Sequence, residues 1–143
     1  MRQLALAGLL VVAACGARSA GETTGGKSLY DRLGGKEAIT LVVDDFVANI
    51  ANDTRINTRF VNTDIPAFKA KLVDQICEAT GGPCKYTGKS MRESHTGLRI
   101  TEAEFTALVE DLQKSLNKYK VGEKEQGELL GALGAMKPDI VNL

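Results

Sequence analysis

The chain has no tryptophan, four phenylalanines, three tyrosines and a single histidine. So few aromatic rings leave little surface on which nucleobases stack. An excess of charge is also missing. Eighteen Lys+Arg balance eighteen Asp+Glu, for a formal net charge of zero, whereas a nucleic-acid partner calls for a basic face. With His95 as the one imidazole, a multi-histidine metal cluster is not available. There is no Gly-x-Ser-x-Gly, no His-Glu-x-x-His and no Walker loop. A Ser/His/acid set stays open, but nothing points to one. No segment alternates polar and apolar residues for long, so no sheet is expected, and no internal repeat is visible. The longest apolar run, Leu4 to Val12, is too short to span a bilayer.

The chain of 143 residues suits one domain with a core of moderate size. Its beginning reads as a targeting segment. Arg2 precedes the apolar run, and Val12-Ala13-Ala14-Cys15 places small residues before a cysteine. This resembles a bacterial secretory signal of the lipoprotein type, which implies cleavage before Cys15 and lipid on its sulfur. An ordinary signal peptide cut near Ala14 or Ala20 is the rival. The expected organisation is a signal at residues 1–14, a lipidated Cys15 with a Gly-rich tether through residue 27, and a folded domain over 28–143. The protein is therefore expected to be exported and periplasmic, touching the membrane only through its lipid. Of three cysteines, Cys77 and Cys84 then remain as a pair, and an oxidising compartment favours a disulfide. A metal pair or two free thiols are the alternatives, and a metal would need further ligands nearby.

The rest reads as helices, an all-α domain. Leu29–Leu33 is a short first segment, broken by Gly34-Gly35. Ala38, Leu41, Val42, Phe46, Asn49 and Ile50 fall at helical steps and are read as a core-facing stripe. Phe68, Leu72, Ile76 and Ala79 form a second stripe, with Asp64 and Pro66 suited to its start and Gly81-Gly82-Pro83 to its stop. Thr101 and Glu104 have capping-box spacing ahead of Phe105, Leu108, Val109, Leu112, Leu116 and Tyr119. Past Val121-Gly122, a last helix is expected from Leu129 to Val141, frayed or kinked near Pro138.

Between Pro83 and Thr101 the chain is polar and glycine-bearing, with room for one short helix near Met91–Thr96 that carries His95. A lone histidine beside apolar helices suits an axial haem ligand, although a single imidazole is more often a surface or core residue. Here the chain resembles a known family. Ser28-Leu29-Tyr30-Asp31-Arg32-Leu33-Gly34-Gly35, Val42-Val43-Asp44-Asp45-Phe46, Phe60 with Asn62-Thr63-Asp64, Gly81-Gly82-Pro83 with Tyr86-Thr87-Gly88 and Met91, then His95 and Gly97-Leu98-Arg99-Ile100-Thr101 with Phe105 follow the order of the group I truncated haemoglobins. The resemblance implies a two-over-two helical sandwich around haem b (iron protoporphyrin IX). It implies His95 as the proximal iron ligand and Phe60 packed on the haem face. It also implies Met91, Leu98, Phe105 and Leu108 along the proximal and lower pocket and Tyr86 at the haem edge, beside Phe46, Val47, Phe68, Lys71 and Leu72 on the distal side.

Departures from the family pattern matter for chemistry. Oxygen-binding members carry a tyrosine one residue after the Phe46 position, where this chain has Val47. The distal positions that often hold glutamine are Phe68 and Leu72, and Gln75, a turn further on, is the polar candidate close by. A missing donor to a charged ligand costs about 1.5–3 kcal/mol. That is roughly tenfold to hundredfold in affinity. Fast oxygen release and easy oxidation of the iron are therefore expected, rather than tight storage. Lys69 and Lys71 are read as a solvated pair reaching haem propionates or water; the sharper alternative has Lys71 ligating the iron. The implied partners are small gases such as O2 or NO, or an unidentified redox partner. A haem-free helical lipoprotein acting as a binding or structural module is the second reading. Peroxidase-like turnover is a third, disfavoured without a distal histidine or arginine.

Overall fold

The computed structural model describes residues 26–143, so the expected signal, tether and lipidated Cys15 lie outside the described residues. Six α-helices follow: α1 Leu29–Leu33, α2 Gly35–Asn52, α3 Ile65–Ala79, α4 Met91–His95, α5 Glu102–Lys118 and α6 Glu123–Gly134. Single 3-10 turns at Asn57–Phe60 and Lys137–Asp139 complete the set. Among the described residues there is no named strand; Ile100 and Val141 form one isolated parallel bridge.

Local chemistry explains most boundaries. The Asp64 carboxylate accepts from the Ala67 N–H at 3.1 Å and caps α3, with Pro66 in its first turn where a missing N–H costs nothing. Thr101 and Glu104 close the expected capping box at α5. A second box, Ser90 with Glu93, starts α4 and stabilises a helix of only five residues. Gly34 and Gly35, with φ of 101° and 78°, turn the chain sharply between α1 and α2 in a conformation side chains disfavour. Arg32 then ties α1 to α6 through Glu125 and Glu128.

Helix α2 is the centre. It packs on α3 and α5, and α5 pairs with α6. Its buried arc is Ile39, Val42, Val43, Phe46, Val47 and Ile50, a run of three- and four-residue steps. The stripe expected from the sequence is rotated from this arc: Leu41 is 52% exposed, and Asn49 donates to the Asp111 carbonyl at 3.2 Å and to Ser115 Oγ at 2.9 Å. The expected last helix is also displaced toward the N-terminus, beginning at Glu123 rather than near Leu129. It ends at Gly134, because Pro138 has no N–H to give the Gly134 carbonyl, and only the Lys137–Asp139 3-10 turn follows. Val141 instead bridges to Ile100, which closes the end of the chain over the segment after His95.

Candidate functional site

The domain contains a cavity of about 510 Å³ between α3, α4, α5 and the end of α6, within the size range of small-molecule and cofactor sites. Phe60, Phe68, Leu72, Met91, Leu108 and Leu133 supply apolar wall, and each is only half-buried because it faces this space. Phe60 and Phe68 meet with ring centroids 5.4 Å apart at 46°. Arg59 fixes the turn that carries Phe60. Its guanidinium donates to Glu104 at 2.8 and 3.0 Å and to the Leu98 carbonyl at 2.9 Å. That pairing holds the Glu104 carboxyl below the usual range and raises Arg59 in turn.

His95 lies on the cavity wall at the last residue of α4. Its Nδ1 lies 2.7 Å from the Met91 carbonyl oxygen. A carbonyl only accepts, so Nδ1 carries a proton, and in the neutral ring the lone pair falls on Nε2. The backbone of α4 thereby fixes both ring orientation and tautomer, the arrangement typical of a metal-ligating imidazole.

The rim is cationic and polar. Lys71 and Lys89 line it, and neither makes an ion pair among the described residues. Lys69, expected to act with Lys71, instead pairs with Asp44 at 3.0 Å and does not line the cavity. Tyr86 lies at the edge, its hydroxyl donating to the Lys89 carbonyl at 2.7 Å and its N–H to Glu78 at 2.6 Å.

The structure gathers Phe46, Phe60, Phe68, Lys71, Leu72, Tyr86, Met91, His95, Leu98, Phe105 and Leu108 around one space. Val47 is the exception. It is 5% exposed and belongs to the core, off the cavity wall, because valine is too short to reach out from the α2 seam. Leu98 sits at the mouth, 47% exposed. Sequence reasoning missed Arg59, Lys89, Met136 and Ile140 on the wall. Met136 and Ile140 carried a visible signal, helical spacing on the last apolar stripe. Arg59 carried none, since its partners lie far along the chain. It is an arginine near the site, but one held by Glu104 and Leu98.

Cys77 and Cys84 are bonded, with Cα atoms 5.7 Å apart. The bridge clips the end of α3 to the loop that runs on to α4. Gly82 lies beneath it: a side-chain carbon there would come within 2.6 Å of Cys77 Sγ and 2.5 Å of Tyr30. No helix among the described residues is long and apolar enough to cross a membrane.

A family model described as bacterial-like globin matches residues 28–142. The chain is similar to the group 1 truncated hemoglobin GlbN of Mycolicibacterium paratuberculosis, 34% identical over 79% of this chain and 83% of the relative. It is likewise 34% identical to GlbN of Synechocystis, over 80% of this chain and 98% of the relative. Among solved structures, the 2/2 hemoglobin of Synechococcus, determined in a cyanomet state with covalently attached heme, superposes with a TM-score of 0.77 at 32% identity, covering 82% of this chain and all of that one. The truncated hemoglobin of Tetrahymena pyriformis gives a TM-score of 0.79 at 27% identity, with the same coverage.

Proposed function

We propose, from the premise that this chain belongs to the bacterial-like globin family, that it binds one haem b in the α3–α4–α5 cavity with His95 as the axial ligand. The observation that carries this reading is the Nδ1–Met91 hydrogen bond, which leaves Nε2 free on the cavity wall. The remaining residues fit the group. Phe60 and Phe68 give flat apolar faces, Leu108 adds aliphatic wall, and Lys71 and Lys89 offer two cations at the rim for two propionates. Lys71 is exposed at that rim, which favours a propionate contact over ligation of the iron.

Haem supplies a metal centre that takes a small gas or passes an electron. The protein sets which of these prevails. Phe68 and Leu72 face the distal side, and Val47 lies behind the wall, so no tyrosine hydroxyl reaches a ligand there. A distal side walled by Phe68 and Leu72, with the Gln75 amide directed at two thioethers, suits transient O2 or NO binding, or redox chemistry, better than storage. We place the protein outside the cytoplasm, anchored through Cys15. The support is the Leu4–Val12 run, the small residues before Cys15, and a Cys77–Cys84 bridge that an oxidising compartment would preserve.

The test is a haem titration of the full-length protein. Saturation at one equivalent with a sharp Soret band supports the reading. A well-folded protein that takes up no haem would return the chain to the haem-free binding module.

A further inference from the structure

The chain has three methionines, and two of them, remote in sequence, meet at one amide. Gln75 Nε2 donates to Met91 Sδ at 3.2 Å and to Met136 Sδ at 3.5 Å. The three residues come from α3, from the first position of α4 and from the residue that precedes the Lys137–Asp139 turn. All three line the cavity, and both methionines are half-buried, within reach of a small solute. Thioether sulfur is a weak acceptor. An amide that directs both N–H groups at sulfur is poorly satisfied, and a stronger acceptor at the same place would suit it better.

We propose that Met91 and Met136 form a paired oxidation site, converted to sulfoxides by hydrogen peroxide entering the cavity, with Gln75 holding the oxygen that is added. In each event a sulfur lone pair attacks the near peroxide oxygen and the O–O bond breaks. The far oxygen leaves as water after taking up the proton that the near oxygen gives up. The thioether loses two electrons, peroxide gains them, and an S=O bond remains. That oxygen is a strong acceptor, so the Gln75 amide gains a better partner than the sulfur it had.

The site lies at the joint that positions His95. Met91 opens α4, and its carbonyl accepts from the His95 ring. The Lys137–Asp139 turn that Met136 leads into packs on α4, where Arg92 and Asp139 also pair at 2.8 Å. Two added oxygens enlarge and polarise this joint, which displaces α4 and weakens the hold on whatever His95 ligates. That consequence rests on the haem reading; the chemistry at sulfur does not.

The experiment treats folded full-length protein, haem-free and haem-loaded, with hydrogen peroxide and locates added oxygen by peptide mass spectrometry. The haem-free folded protein is expected to gain one oxygen at Met91 and one at Met136 at rates within ~10-fold of the denatured chain, and methionine sulfoxide reductase is expected to remove them. Protection of both residues by ~100-fold or more relative to the denatured chain overturns the site. In the loaded protein, oxidation is expected to speed haem loss several-fold, an effect absent in a Met91→Leu/Met136→Leu double variant. Unchanged haem loss after full oxidation overturns the link to His95. Oxidised Gln75→Leu should melt lower, relative to its unoxidised form, than the oxidised parent does relative to its own. An equal drop in the two overturns the role given to Gln75. A chain that oxidises as expected yet takes up no haem fails the haem reading alone.

Discussion

Reducing the Cys77–Cys84 bridge should cost a predictable amount of stability. The sequence separation is 7, so the closed ring holds eight residues. Loop-closure entropy for a ring of that size corresponds to about 2.5 kcal/mol near room temperature. Unfolding entropy of roughly 2.1 cal/mol/K per residue, over the roughly 120 described residues, converts this to a fall in Tm of about 10 °C. The comparison is between oxidised and thiol forms of the same chain, because Cys77 has no exposed surface and a replacement there would add a cavity of its own. The assay is thermal unfolding followed by circular dichroism, with and without reductant. A Cys77→Ala/Cys84→Ala variant serves as the control that reductant should not shift. A reduced protein melting within ~2 °C of the oxidised one would refute the reasoning and mean that the unfolded chain is already constrained near Gly81-Gly82-Pro83.

Four further outcomes follow from the surroundings of particular residues. Gly82→Ala should lose about 1–3 kcal/mol through overpacking against Tyr30 and Cys77; Gly127→Ala, on α6 with open space around it, should gain about 0.5–1 kcal/mol, both read from urea midpoints. Asp111 is fully buried with one carboxylate oxygen unpartnered, and desolvation raises its pKa against the pull of Lys114. A raised carboxyl adds stability below its unfolded value and loses it as pH rises through the folded value, so Asp111→Asn should gain on the parent as pH rises from the ordinary carboxylate range, about 4, through the raised folded value, and hold that gain above it. A constant difference across that range would be the contrary result. Leu72→Gln places an amide donor on the distal wall and should slow oxygen release by roughly tenfold to hundredfold, measured by stopped-flow on the reduced, haem-loaded protein.

How far the sequence can be read depends on whether the decisive interaction is local. Caps at Asp64 and Thr101 and the stop at Gly81-Gly82-Pro83 act within a few residues, and the helices begin and end there. The rotation of α2 is not local. Leu41 and Val43 are equally apolar, and only the positions of α3 and α5 decide that Val43 is buried and Leu41 exposed. An exposed leucine is commonplace, so composition gives no warning. Pro138 marked trouble in the last helix but not where it would end. The cavity wall was readable where the family pattern runs through it, as at Phe60, Tyr86 and His95. It was not readable at Arg59, whose partners lie across the fold, or at Lys89, which sits in the irregular stretch before α4 where no periodic pattern marks it. Val47 shows the converse: a position matched by family register, whose side chain is too short to reach the space its counterpart would occupy.

The most direct test of His95 as the axial ligand is chemical rescue. The haem-loaded full-length parent and His95→Ala are compared by visible absorption, before and after addition of free imidazole. The account predicts a weakened and shifted Soret band in the variant, restored toward the parent by imidazole entering the space the ring vacated. A variant whose spectrum matches the parent without imidazole would contradict it, and would mean that another side chain holds the iron.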